Sequence, residues 1–165
     1  MKLAIRVALA AALAGLGVWL WTVLFPSPEK IVLKRISSLA AIATVNAGDG
    51  PLTRANKVSN LIGFFSTDAE IHYDIAGFGA RSLSGRDEIR EAAAGGFAGA
   101  GSLKVRFQDA TARVAADRQT AEVSCTATVT ANDSKDIGVQ ELRFQFRRID
   151  GDWLITRAES VKTLQ

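Results

Sequence analysis

His72 and Asp74 stand two residues apart in Glu70-Ile71-His72-Tyr73-Asp74-Ile75, and on an extended strand that spacing puts both side chains on one face. An imidazole beside a carboxylate can move protons near neutral pH, so these two residues are the candidate general base of the chain, a chemistry that needs no cofactor. Glu70 shares their face and favours the protonated imidazole, so the same three residues also read as a solvated stripe of paired charges. Tyr73, Phe97 and Trp153 are the candidate pocket-lining aromatics; Trp153, just past a turn, suits packing over a sheet edge as well as stacking on a ligand.

Other chemistries are poorly supplied. The chain has one histidine and one cysteine, so a zinc site of the usual nitrogen and sulfur ligands is not expected and no metal is assigned. Cys125 falls in phase with Ala121, Val123, Ala127 and Val129, which is how a buried structural thiol looks, and a lone cysteine forms no intramolecular disulfide. Lys2 and Arg6 account for two of the 20 basic residues, leaving 18 against 17 acidic ones in the rest of the chain. That balance argues against nucleic acid as a partner, since such proteins concentrate positive charge on one face.

The elements that must position these residues follow from the pattern. Ser27-Pro28-Glu29 opens a helix, with a capping hydroxyl, a proline tolerated at the first helical position and an acid that complements the dipole. Val32, Ile36, Leu39 and Ala43 mark its buried face, and it should end near Asn46, before Ala47-Gly48-Asp49-Gly50. A second helix begins near Pro51 with Val58, Leu61, Ile62 and Phe65 as its stripe. Ile71, Tyr73 and Ile75 then alternate with Glu70, His72 and Asp74 as a strand with one buried face, broken at Gly77 and Gly79.

Ser84-Gly85-Arg86-Asp87 is a variant capping box for a third helix, with Asp87 as the reciprocal acid. Its far end, Ala92 to Gly101, is rich in alanine and glycine and could act as a lid over a pocket. Four strands follow, Leu103 to Val114, Thr120 to Ala131, Ile137 to Ile149 and Trp153 to Lys162, joined by turns short enough for antiparallel hairpins. Ile137 and Val139 share one parity while Leu142, Phe144 and Phe146 share the other, which calls for a bulge near Gln140. The class is α+β, a curved antiparallel sheet wrapped around helices.

Ahead of this domain, residues 7–25 carry no charge and are long enough to cross a bilayer. Lys2 and Arg6 precede them, Trp19 and Trp21 lie near the far end, and Leu24-Phe25-Pro26-Ser27-Pro28 lacks the small residues of a cleavage site. The expected organisation is a transmembrane signal anchor over residues 1–26 and a single domain over 27–165. The default orientation of a single-pass protein of the cell membrane places that domain on the extracytoplasmic, or periplasmic, side.

The order of elements resembles the nuclear-transport-factor-2-like superfamily, which includes ketosteroid isomerase, scytalone dehydratase and polyketide-cyclase-like proteins. The resemblance rests on Asn46-Ala47-Gly48-Asp49, on Phe65-Ser66-Thr67-Asp68-Ala69-Glu70-Ile71, on Gly85-Arg86-Asp87-Glu88-Ile89 and on Asp150-Gly151-Asp152-Trp153-Leu154-Ile155. It implies a cone whose pocket serves catalysis, ligand binding, or neither while the sheet pairs with a partner. In isomerase-like members a strand aspartate acts as base; the matching position here falls on Tyr73, with Asp74 beside it. The oxyanion pair of the isomerase finds no tyrosine on the first helix and only Glu141 as a late-strand match. The reading that follows is a tethered binding or assembly module whose sheet face would serve homodimerisation or partner contacts. The alternatives are a cofactor-free isomerase, dehydratase or cyclase using His72 or Asp74 on a small hydrophobic carbonyl compound, and a carrier of a lipid-like ligand.

Overall fold

The computed structural model describes residues 15–16, 27–75, 79–132 and 138–161. Helix α1 (Pro28–Ala43) starts as its sequence requires, with Ser27 Oγ accepting from the Lys30 amide and Pro28 in the first turn. It stops at Ala43, earlier than Asn46, because Val45 leaves the helix to exchange two backbone hydrogen bonds with Leu103, of 2.7 and 2.8 Å. Helix α2 (Pro51–Ile62) follows the loop at Asp49 and buries Val58, Leu61 and Ile62. Strand β1 (Phe65–Ile75) then turns back into β2 (Gly79–Ser84), and α3 (Gly85–Gly99) leads to β3 (Leu103–Val114), β4 (Thr120–Ala131), β5 (Gly138–Ile149) and β6 (Asp152–Val161).

The six strands form one sheet in the order β2-β1-β6-β5-β4-β3. All neighbours are antiparallel except β1 and β6, which run parallel, so the sheet is mixed where a wholly antiparallel one was expected. β2 is a further departure from expectation. Gly79-Ala80-Arg81-Ser82-Leu83-Ser84 holds none of the β-branched or aromatic residues that favour strands, and this strand exists because Ile71 to Asp74 offer it a complete pairing edge.

Curvature comes from shifts of register at Gln108/Thr111 between β3 and β4, at Gln145/Phe146 between β5 and β6, and at Phe65/Glu70 between β1 and β6. The bulge expected near Gln140 is absent from the β4–β5 ladder, which runs unbroken from Gly138 to Arg147. Parity is kept instead by leaving Val139 65% exposed on the outer face while Gln140 turns inward. The β5–β6 turn uses Asp150 and Gly151 at φ 52° and 91°, the left-handed geometry that an Asp-Gly hairpin favours.

The concave face of the sheet and the helices share one apolar core. Val32, Ile36 and Leu39 of α1 meet Val123, Phe144, Phe146 and Ile155 of the strands, with Trp153, Phe65 and Ile89 in the same cluster. Arg86 ties the start of α3 to β1 by donating from Nε and Nη2 to the Phe65 carbonyl at 2.8 and 2.5 Å. The capping box takes a different form from the one expected. Ser84 makes no side-chain cap, and Glu88, not Asp87, accepts from the Ser84 amide at 2.7 Å, while Asp87 pairs with Arg90 at the surface.

Among the described residues no helix is long and apolar enough to cross a membrane. The anticipated anchor, residues 7–25, lies outside the described residues apart from Gly15 and Leu16.

Candidate functional site

β1 places His72 on the outer, solvent-facing side of the sheet. Ile71 packs against the core, opposite Ala158 of β6, so its neighbours Glu70 and His72 point the other way. His72 Nε2 lies 3.3 Å from Glu70 Oε2, and the two side chains are 42% and 49% exposed. Glu70 in turn lies 3.7 Å from Arg157, Arg157 lies 3.3 Å from Glu159, and Glu159 lies 3.5 Å from Arg143. Arg143 also reaches Glu122 at 3.9 Å. Glu122, Arg143, Glu159, Arg157 and Glu70, on four neighbouring strands, form a line of alternating charge across the sheet with His72 at its end, possible because residues paired in register share a face.

The second predicted catalytic residue, Asp74, is fixed through its main chain. Its amide donates to Ser160 Oγ at 2.9 Å and its carbonyl accepts from Gln140 Nε2 at 2.9 Å. His72, Tyr73 and Asp74 do border one shallow groove of about 410 Å³, completed by Ala80, Arg81, Ser82, Glu159 and Ser160. A second groove of about 560 Å³ lies farther along the sheet, bordered by Arg113, Glu122, Gln145, Arg147 and Thr156 among others. Arg147 pairs there with Asp68 at 3.3 Å. The Asp68 carboxyl is held below the usual aspartate range, chiefly by the Ser66 hydroxyl and further by its own backbone amide and by Arg147.

The three candidate pocket aromatics are far apart in their surroundings. Tyr73 borders the outer groove. Trp153 is 5% exposed within the core, and its carbonyl accepts from Arg35 Nε at 3.1 Å. Phe97 is buried at the floor of a cleft between α2 and α3. Cys125 is buried on the inner face of β4, and loss of solvent pushes its thiol up to about 11, so it is a protonated packing group at neutral pH.

One site was invisible in the sequence. The cleft between α2 and α3 holds about 490 Å³ and is lined by Asp49, Pro51, Arg54, Ala55, Val58, Ala94, Phe97 and Ala98. Arg54 donates to the carbonyls of Phe97 and Ala100 from Nη1, of Gly101 from Nη2 and of Asp49 from Nε. The helical segment Ala92 to Gly99 is therefore held at its end by an arginine that sits 43 residues earlier than Phe97, in a different helix. Lys57 donates to the Thr44 carbonyl and to Asp49 Oδ2, both at 2.6 Å. That ammonium group is the main reason the Asp49 carboxyl lies below its ordinary range. Among the described residues no cluster of histidine, cysteine and acidic side chains could hold a metal ion.

A mixed sheet curled around α1, with α2 and α3 closing one side, is the architecture of nuclear-transport-factor-2-like cones. Residues 34–159 match the SnoaL-like domain, and the chain belongs to that family. No functionally curated protein matches it in sequence. Solved structures with the same fold include a nuclear-transport-factor-2-like protein of unknown function from Pseudomonas putida KT2440, at 12% identity and TM-score 0.65, covering 86% of this chain and 90% of that one. A proposed scytalone dehydratase from Novosphingobium aromaticivorans aligns at 16% identity and TM-score 0.59, covering 82% of this chain and 83% of its own. The yeast UBP3-associated protein BRE5 aligns at 13% identity and TM-score 0.60, covering 81% of this chain and 95% of its own. At these identities the likeness is one of fold.

Proposed function

We infer that this SnoaL-like domain is a binding or assembly module, tethered to the cell membrane by residues 7–25 and held on the extracytoplasmic side, with the outer face of its sheet as the contact surface. The observation that carries this reading is the line of charges from Glu122 through Arg143, Glu159, Arg157 and Glu70 to His72. A general base has to face its substrate in a site that limits water. Here the chain's only imidazole is paired with a carboxylate on an open face, where such pairs serve orientation and partner choice. A row of alternating charge on the outer face of the sheet can also meet its own copy with opposite signs opposed about a two-fold axis, which suits a homodimer.

The test is sedimentation of the full-length chain in detergent. The native protein should run as a dimer, and Arg143→Glu, which places three acids in a row, should run as a monomer at the same concentration with an unchanged circular dichroism spectrum. A native chain that is monomeric at about 100 μM would remove the dimer from this reading, because specific interfaces of ordinary size bind far more tightly than that.

A second reading has one observation in its favour: His72, Tyr73 and Asp74 share the 410 Å³ groove. It makes the chain a cofactor-free isomerase, dehydratase or cyclase for a small hydrophobic carbonyl compound. Turnover of such a compound that His72→Ala lowers by about a hundredfold or more, the range for loss of a general base, would support it.

A further inference from the structure

We propose that the cleft between α2 and α3 is a binding site for a small apolar carboxylate, separate from the sheet face. Its body is apolar and built from small side chains: Ala55 on α2, Ala94 and Ala98 on α3, with Pro51, Val58 and the Phe97 ring around them. A volume of about 490 Å³ falls within the range of sites that enclose small organic ligands. The described lining comes from α2, α3 and the loop before α2, with no strand residue, so the cleft is distinct from the interior of the cone.

Charge names the ligand's polar group. Arg54 borders the cleft, and its hydrogen-bond partners are four main-chain carbonyls. Among the described residues no carboxylate forms an ion pair with it, and the one acid in the lining, Asp49, is already paired with Lys57. Four carbonyls satisfy donors without cancelling a full charge; one is that of Phe97 in the last turn of α3, and two, Ala100 and Gly101, lie just past its end. A guanidinium has five N–H donors, so one on Nη2 is left to meet an incoming carboxylate oxygen.

Two observations set aside other occupants. A second copy docked on this cleft alone would bury far less than the roughly 1,200 Å² of a stable interface. Bilayer lipid is disfavoured by distance from the anchor, an argument that rests on the anchor reading above. The apolar segment ends at Phe25, next to the start of α1, whereas the cleft adjoins the far end of α1, where Lys57 holds the Thr44 carbonyl. Sixteen helical residues separate the two ends by about 24 Å.

The experiment is a titration of the full-length chain in detergent with 4-(trifluoromethyl)benzoate, followed by backbone amide shifts. Native protein should bind with a dissociation constant below about 1 mM, the range open to a ligand of this size. Shifts should be confined to Ala55, Ala94, Phe97, Ala98 and their helical neighbours. Ala94→Phe, which fills the cleft from an exposed helical position, should weaken binding at least tenfold. Micelle uptake is common to both chains, so the difference between them reports the cleft. Equal binding by Ala94→Phe, shifts centred on the strands, or no binding at about 10 mM would overturn the site. Equal affinity for 4-(trifluoromethyl)toluene would overturn the role of Arg54. None of these outcomes depends on where the chain is tethered or whether it dimerises, so the cleft and the tethered-module reading stand or fall separately.

Discussion

Asp49 shows how much one partly buried carboxylate can organise. It accepts from the Asn46 amide at 2.9 Å and from Lys57, closing the loop that launches α2. Asp49 and Asp68 both titrate below their ordinary range when folded. A depressed folded value means that their stabilisation is fully present above the unfolded value, near 3.9, and is lost as pH falls through the folded values. The urea midpoint should therefore be nearly flat from pH 7 to about 5 and should decline below about 4. Asp49→Asn should shallow that acid limb, and an unchanged limb would show that the Lys57 pairing contributes nothing. Cys125 gives a second expectation at this scale. With its thiol held protonated and buried, it should react with iodoacetamide at pH 8 at least tenfold more slowly in the folded chain than in urea, since the thiolate is the nucleophile.

Among the elements, α3 is the one whose sequence and setting disagree. Gly95 and Gly96 lie in its interior, and a methyl group on either would meet nothing within 4 Å. Each therefore costs helix stability without serving a close contact, and Gly95→Ala or Gly96→Ala should raise unfolding stability by about 0.5–1 kcal/mol, measured by urea denaturation. The neighbouring Gly101 behaves differently, because a methyl group there would come within 2.7 Å of Asn132 Oδ1, which holds the Ser102 amide. Gly101→Ala should be neutral at best.

The helices, and the strands from Leu103 onward, were legible because their periods are strong and their caps local: Ser27-Pro28 for α1, Asp150-Gly151 for the last hairpin. β2 was not legible, since its six residues include no β-branched or aromatic strand former and depend on β1 for their pairing. The outer position of His72 could be read from its alternation with Ile71. Its links to Arg157 and Glu159 could not, because they require knowing that β6 lies beside β1. The cleft was hidden for the same reason: Arg54 and Phe97 meet only after α2 and α3 pack.

For the whole molecule, Ile155 is the point on which the layers converge. It is fully buried, pairs with Phe65 of β1 and Phe146 of β5, and its amide donates to the Phe64 carbonyl at 2.8 Å. Ile155→Ala should cost about 2–5 kcal/mol of unfolding stability by urea titration, the range for removing a large aliphatic side chain from a close-packed core. The tether is an expectation at the same scale: the full chain should stay with membranes through an alkaline carbonate wash, and a chain beginning at Ser27 should be released.

The parallel contact between β1 and β6 joins the first strand of the domain to its last. Strand pairing of such long sequence separation carries a large loop-closure cost and slows folding. During synthesis at roughly 5–20 residues per second, β1 waits for β6 to emerge before its second edge is covered. The nascent domain thus passes through a stage in which β1 and β5 both present open edges, a template for mispairing with other chains. A chain terminated before Asp152 would be held at that stage permanently, so a truncation that removes β6 should yield aggregates and not a smaller folded domain.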